Sequence, residues 1–146
     1  PRKGEVDGVN YFFLTREEFD RRVANGEFVE WAEVHGNCYG TLVSEVTSKL
    51  ASGASLILEI DVQGALQVKE RFPEAVLIFI KPPSLEVLRE RLVGRGTETP
   101  ETIELRMANA ADELALADRY DDVVVNDDLD RATDELVRVL DMHERI

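Results

Sequence analysis

Residues 75–80 read AVLIFI, a short and almost continuous apolar run. Two further runs of this kind occur in the chain, SLILEI at residues 55–60 and VVV at residues 123–125. Such runs are typical of parallel β-strands that are covered on both faces. We therefore predict that the three runs are strands of a parallel sheet.

Helical patterns separate these runs. They cover residues 65–71, residues 84–92 and a longer segment that Thr99 and Pro100 open as cap and first-turn residue. Strands that alternate with helices indicate an α/β fold, in which helices cover both faces of the sheet. A last amphipathic helix is predicted from apolar residues at helical spacing, namely Leu129, Ala132, Leu136 and Leu140.

The first part of the chain follows a different plan. Thr15 and Glu18 form a capping box that predicts a helix over residues 16–25. The run FVEWAEV at residues 28–34 favours a strand, and Thr41 can cap a further helix after a glycine-containing turn. This part is predicted to be a small mixed α+β insert.

The length of 146 residues suits one compact body, which we divide into the insert, residues 1–50, and the α/β core, residues 51–146. The formal net charge of −13 repels nucleic acid backbones and anionic membranes, so we predict that the protein binds neither. An anionic ligand then requires a local cluster of arginines. The patterns leave the oligomeric state open.

Cysteine and histidine use excludes several kinds of site. Cys38 is the only cysteine, so an intrachain disulfide and a cysteine-based zinc site are excluded, and a reducing cytoplasm is predicted. No metal-ligand spacing joins His35 or His143 to a carboxylate or to Cys38, so we predict no protein metal site. No apolar run approaches the roughly 20 residues of a membrane span.

The chain opens on Pro1 with PRKGEVDG, a charged stretch that reads like the middle of a loop. We therefore expect that the true N-terminus of the protein lies upstream of Pro1. This sequence would then be a truncated one, and elements that precede Pro1 would be missing from it for that reason.

Five segments of the chain carry a family resemblance, and they are PRKGEVDGVNYFF (1–13), FVEWAEVHGNCYGT (28–41), LEIDVQGA (58–65), RLVGRGTETPETIELR (91–106) and VVVNDDLD (123–130). Taken in this order, they resemble the guanylate kinase family. The resemblance implies a P-loop nucleoside monophosphate kinase fold whose first, P-loop strand is missing. It also implies ATP-dependent phosphorylation of GMP to GDP, with GMP and ATP as substrates and Mg²⁺ bound with ATP.

The resemblance assigns the guanine-reading role to Glu30, with Thr41 assisting. A carboxylate can accept two hydrogen bonds from the N1–H and N2–H₂ edge of guanine, and adenine has no such donor pair. The alternative for Glu30 is a strand carboxylate that faces water. Tyr11 and Tyr39 are implied as hydroxyl donors to the GMP phosphate, and the alternative for each is an ordinary half-buried ring.

Two further residues are assigned to the GMP side. Arg2 lies in a P-R-x-G-E stretch that resembles the family's clamp on the GMP phosphate, which a guanidinium fork suits; the alternative is a surface arginine. Other members of that clamp pattern would precede Pro1. Asp61 is implied at the GMP end or at the water shell of magnesium, and it can equally well cap the next helix.

The resemblance places a lid over residues 91–106. Its arginines, Arg91, Arg95 and Arg106, are implied as catalytic residues that spread the charge of the transferring phosphates. Glycines beside Arg95 would let the lid close. The alternative is a set of separate solvated arginines, paired with Glu90, Glu98 or Glu104.

Asn126 follows the last predicted strand and, by resemblance, belongs to the loop on the adenine side of ATP. The alternative is a plain strand-to-helix turn. The phosphate loop itself, G-x-x-x-x-G-K-[ST], is not found, because no glycine is followed directly by lysine. We therefore expect the chain by itself to bind GMP weakly and to show no kinase activity.

A second function is compatible with a missing phosphate loop. Guanylate-kinase-like interaction modules bind phosphorylated partners on a related fold. Glu30, Arg91 and Arg95 speak against this alternative, because a binding module has no need of them. A kinase for another nucleoside monophosphate is disfavoured by Glu30 in its FVEW setting.

Overall fold

The structure is a computed structural model that describes residues 1–34 and 36–144. His35, for which no catalytic role was predicted, lies outside the described residues. The chain divides into two compact units, Pro1–Pro73 and Glu74–Ile146, called here the first and second units. The sequence-based division falls after residue 50 instead. The sequence-based division separates residues by whether they bind GMP, and the division into compact units does not test that property. The sequence-based division therefore stays a prediction.

The described residues of the first unit form two strands and three helices. Its helix α1 is capped as predicted, because the Thr15 hydroxyl accepts a hydrogen bond from the backbone N–H of Glu18 at 3.1 Å. The buried ring of Phe19 on α1 lies 4.6 Å from that of Phe28 on β1, centroid to centroid. In chain order the elements are α1 (Arg16–Ala24), β1 (Phe28–Val34), β2 (Asn37–Leu42), α2 (Val43–Ala51) and α3 (Val62–Arg71).

The strands β1 and β2 form an antiparallel hairpin in which Glu30 faces Thr41 across the ladder. The prediction that Thr41 caps the next helix is wrong. Thr41 is a strand residue, and Leu42 occupies the N-cap position of α2 without a side-chain hydrogen bond. The Thr41 hydroxyl is bonded to Glu30 across the hairpin, so it is not available to a helix end.

The predicted strand at residues 55–60 is not found. The segment is free of regular secondary structure, and Leu56, Leu58 and Ile60 are half-buried while Ile57 between them is 70% exposed. A strand exists only where a neighbouring backbone completes its ladder, and the described residues supply no such neighbour for this segment. The apolar run correctly predicted that the segment is partly buried, but only the alternate residues on one side of it are.

Helix α3 packs against β1 and fixes its outer edge. The Gln67 side chain accepts a hydrogen bond from the backbone N–H of Trp31 at 3.1 Å and donates one to the Trp31 carbonyl at 3.3 Å. It therefore satisfies a backbone donor and a backbone acceptor of β1 that no strand pairs. This contact sets the position of Glu30, which precedes Trp31.

The second unit contains a parallel strand pair. The strand β3 pairs with β4 so that Ile78 lies beside Asp122 and Lys81 beside Val125. Val124, 1% exposed, is the centre of its core. The elements are β3 (Ile78–Lys81), α4 (Leu85–Gly94), α5 (Pro100–Ala115), a 3₁₀ turn (Ala117–Arg119), β4 (Asp122–Val125) and α6 (Leu129–Glu144).

The helices of the second unit begin where the sequence predicts. Ser84 and Thr99 cap α4 and α5 through their hydroxyls, and Pro100 is the first residue of α5. The Arg89 guanidinium of α4 pairs with the Glu104 carboxylate of α5. Parallel strands with helical connections confirm the α/β class, and the paired strands among the described residues are β1 with β2 and β3 with β4.

Candidate functional site

Glu30 is the one charged residue in the buried set of the described chain, with 7% of its surface exposed. Its Oε1 accepts a hydrogen bond of 2.7 Å from the Thr41 hydroxyl. A buried charge is costly unless hydrogen bonds compensate it, and the described residues give the second oxygen, Oε2, no such bond. The carboxylate thus keeps an unused acceptor, which is what a ligand with N–H donors requires.

The start of helix α3 lies close to this carboxylate. A Cβ atom at Gly64 would be 3.0 Å from Glu30 Oε2 and 3.1 Å from Asp61 Oδ1. Such separations are shorter than ordinary van der Waals contacts, so a side chain at residue 64 would displace one of the two carboxylates. Glycine at this place lets the helix backbone approach Glu30.

Asp61 is the N-cap of α3, since its Oδ1 accepts a hydrogen bond of 2.8 Å from the backbone N–H of Gly64. The capping alternative is therefore confirmed. The second role predicted for Asp61, at GMP or at the magnesium water shell, stays a prediction.

The cap predicts how Asp61 variants behave. Asp61→Ala is expected to lower the free energy of unfolding by about 1 kcal/mol, whereas Asp61→Asn, an equally good cap, should change it by no more than a few tenths. Urea unfolding of the two variants checks this. Equal losses in both would show that the charge, rather than the cap, stabilises the helix.

A cleft of about 1330 Å³ opens within the first unit, and four of the predicted GMP residues line it. Tyr11 and Tyr39 meet there with ring centroids 6.3 Å apart, and they are 52% and 47% exposed. Both rings are thus accessible from the cleft. The four lining residues are Arg2, Tyr11, Tyr39 and Thr41.

The cleft is lined by the cationic Arg2 and by Thr41. Thr41 connects the cleft to the buried carboxylate, because its hydroxyl is hydrogen-bonded to Glu30. The Arg2 side chain has no hydrogen-bond or ion-pair partner among the described residues, although its backbone N–H donates to Glu5 at 2.6 Å. Lys49 also lines the cleft. Sequence patterns did not single out this cation, because it lies on the exposed side of an ordinary helix.

The three predicted lid arginines lie in different settings in the second unit. Arg95, the C-cap residue of α4, is exposed, and its side chain has no hydrogen-bond or ion-pair partner among the described residues. Gly96 follows it with φ +66°, a conformation that favours glycine. Of the three, Arg95 is therefore the cation most open to an anionic ligand.

Arg106 on α5 pairs with Glu98, Nε to Oε2, at 3.0 Å. The N–H is not aimed at the oxygen, so the pair is an ion pair by distance while Glu98 Oε2 stays buried without a hydrogen bond. The alternative of an arginine paired with Glu98 is thus observed. It leaves the predicted catalytic role of Arg106 untested.

Arg91 is bound to the loop that follows β4. Its Nη1 donates to the Asn126 carbonyl at 2.9 Å and its Nη2 to the Asp127 carbonyl at 3.3 Å. Arg91 and Asn126, predicted from separate segments, are therefore brought together. The phosphate role of Arg91 stays a prediction and would require these two bonds to break.

The same loop is held from its other side by Arg131, a residue that the sequence patterns missed. Arg131 Nε donates to Asp127 Oδ1 at 2.7 Å, and Nη2 donates to the Val125 carbonyl at 2.6 Å. The backbone N–H of Asp128 and then the Arg131 guanidinium lower the pKa of Asp127 from its ordinary value. The Asp127 carboxylate therefore stays ionised to a lower pH than an unperturbed aspartate does.

Among residues 1–34 and 36–144, no cluster of three or more His, Cys, Asp or Glu side chains is arranged to hold a metal ion. None of the described helices is long and apolar enough to span a membrane.

Comparison with known proteins gives consistent matches. The family described as guanylate kinase matches residues 1–143. Guanylate kinase of Halalkalibacterium halodurans is 54% identical over 140 residues, which cover 96% of this chain and 69% of the relative. That of Gloeobacter violaceus is 56% identical over 140 residues, which cover 96% and 68% respectively.

The fold has a solved counterpart. The crystal structure of guanylate kinase from Anaplasma phagocytophilum matches with a TM-score of 0.73 and 39% sequence identity, over 97% of this chain and 69% of that one. The match therefore extends over nearly all of the 146 residues.

Proposed function

Because the chain belongs to the guanylate kinase family, a class of ATP:GMP phosphotransferases, we propose that its first unit binds GMP and that its second unit supplies cations to the transferring phosphates. The buried Glu30 carboxylate, bonded to Thr41 on one oxygen, is the observation that carries the first half of this proposal.

Glu30 suits guanine for a chemical reason. Its acceptors match the N1–H and N2–H₂ donors of guanine, while adenine presents an unprotonated N1 on the corresponding edge and would be repelled. In a buried site, a polar group that is left unpaired is costly, so the wrong base is rejected strongly. Thr41, whose hydroxyl donates to Oε1, holds the carboxylate in one orientation.

The cleft suits the phosphate of the same nucleotide. Arg2 can bind phosphate oxygens with two parallel N–H donors, and the hydroxyls of Tyr11 and Tyr39 are further donors to the same oxygens. These groups line the cleft that Thr41 joins to Glu30. We assign the base to Glu30 and the phosphate to Arg2 and the two tyrosines.

The transferring phosphates gain negative charge on their outer oxygens in the transition state, and fixed cations lower its energy. We assign this role first to Arg95, whose exposed side chain has no hydrogen-bond or ion-pair partner among the described residues. Arg106 would exchange Glu98 for phosphate, and Arg91 would join only after leaving the loop carbonyls. Gly96 lets the lid change shape at this point.

Mg²⁺ would be held mainly by the phosphates of ATP, where it neutralises charge and orients them. Asp61, with its Oδ1 engaged by the cap, can still orient a magnesium-bound water through Oδ2.

We further propose that residues 1–146 alone bind GMP without phosphorylating it, because no glycine in them is followed directly by a lysine. We also propose that the protein acts in the cytoplasm. The phosphate loop that ATP requires would then be supplied from outside these residues. An interaction module for phosphorylated partners is not favoured, since the matched relatives are kinases over 96% of the chain.

Calorimetric titration of purified residues 1–146 tests the proposal, with GMP, AMP and a phosphoserine peptide as ligands. We expect binding of GMP only, together with no ADP formation from ATP and GMP in a coupled assay. Tighter binding of the phosphopeptide than of GMP would favour the interaction module. ADP formation would refute the claim that an external phosphate loop is required.

A further inference from the structure

The loop after β4, residues 126–128, is bound on two sides by guanidinium groups. Its carbonyls at Asn126 and Asp127 accept hydrogen bonds from Arg91. Its Asp127 carboxylate accepts one from Arg131, which also bonds the Val125 carbonyl at the end of the strand. A short loop with this many charge-assisted bonds has little freedom to move.

Arg131 is itself held in place. Its Nη1 donates to Glu135 Oε2 at 2.5 Å, one turn further along α6, and its backbone N–H donates to Asp128 Oδ1 at 3.0 Å. The guanidinium therefore uses all of its nitrogens, on one strand end, one loop carboxylate and one helix carboxylate. A lysine carries its three donors on one nitrogen and does not reproduce the spread of the three guanidinium nitrogens over these acceptors.

The bonds leave one group of Asn126 unused. Its backbone N–H donates to the Lys81 carbonyl at 2.7 Å, and its carbonyl accepts from Arg91. The described residues give its side-chain amide no hydrogen bond. Both the donor and the acceptor of this amide are consequently available to the edge of a nucleotide base.

We propose that Arg131 is a positioning residue for the donor nucleotide: it fixes the loop at residues 126–128 so that the Asn126 amide faces the adenine of ATP. The inference rests on the proposed function and on the family resemblance, which assigns the loop of Asn126 to the adenine side of ATP. Arg131 itself does not touch the nucleotide. Its effect is therefore confined to the binding of ATP and to the choice of the donor base.

The test compares Arg131→Met, Arg131→Lys and a matched control, Arg138→Met, in the protein as the cell makes it. Arg138 lies on the same helix and is exposed, and its side chain has no hydrogen-bond or ion-pair partner among the described residues. Two readouts are measured, namely hydrogen–deuterium exchange at residues 126–131 and steady-state kinetics with ATP, CTP and GMP. Thermal melting identifies any variant that fails to fold.

For Arg131→Met we expect faster amide exchange at residues 126–131. The KM for ATP should rise about tenfold, because losing one or two hydrogen bonds between the Asn126 amide and the base costs on the order of tenfold in affinity. The preference for ATP over CTP should shrink in proportion, while the KM for GMP stays within twofold. Arg131→Lys should lie between wild type and Arg131→Met, and Arg138→Met should match wild type.

Three results would overturn the inference. Unchanged exchange in Arg131→Met means that the loop does not depend on this residue. Faster exchange with an unchanged KM for ATP and unchanged base preference means that the loop does not bind the donor. A wild-type protein that forms no ADP refutes the proposed function and, with it, the nucleotide part of the inference, while the exchange data still report on the loop.

Discussion

Glu30→Gln is expected to weaken GMP binding by at least about 100-fold, because two hydrogen bonds to a charged acceptor contribute about 1.5 kcal/mol or more each. Glutamine places an NH₂ group where guanine also presents donors, so one attraction becomes a repulsion. The fold should survive the change. The amide oxygen still accepts from the Thr41 hydroxyl, which bonds Glu30 at 2.7 Å.

Calorimetry with GMP and a thermal melt of the same sample check this expectation. Glu33→Gln is the matched control, since Glu33 lies on the same strand but is exposed and pairs with Arg16 at 3.4 Å. The control should bind GMP like wild type. Wild-type affinity in Glu30→Gln would show that guanine is read elsewhere.

Arg95→Met is expected to lower kcat by about 1000-fold in the native enzyme, which is the lower end of the contribution of an arginine that acts on transition-state charge in phosphoryl transfer. The affinity for GMP should remain unchanged, because Arg95 lies in the second unit and the groups assigned to GMP lie in the first. Methionine keeps an unbranched, flexible apolar stem, and it removes the guanidinium with its charge and its N–H donors.

Single-turnover kinetics with saturating ATP and GMP separate this loss from any change in binding. Arg89→Met serves as the control, since Arg89 is on the same helix and pairs with Glu104 rather than with a ligand. It should retain kcat. A loss of only twofold in Arg95→Met would remove Arg95 from the catalytic machinery and leave Arg106 as the leading candidate.

The sequence was sufficient where structure is decided locally. The cap of α1 by Thr15 and the start of α5 at Pro100 follow from a few neighbouring residues, and both were predicted correctly. The family resemblance added Glu30 and Thr41 from separate strands. Their hydrogen bond supports the pairing, although it does not test their role in binding.

The sequence-based predictions that were wrong or missing depend on contacts between residues far apart in the sequence. The apolar run at residues 55–60 signals burial, but whether it becomes a strand depends on a neighbour that the run itself does not specify. The Thr41 hydroxyl was assigned to a helix end because the partner across the hairpin is invisible in a linear pattern. Arg131 was missed for the same reason, as its acceptors are set by the turn that follows β4.

The central claim is that the first unit reads guanine through one buried carboxylate. An experimental structure of the protein with GMP tests it most directly. We predict that both Glu30 oxygens lie within hydrogen-bond distance of the guanine N1 and N2 atoms, with the phosphate at Arg2, Tyr11 and Tyr39. A guanine ring bound away from Glu30, with that carboxylate still paired only to Thr41, would contradict it.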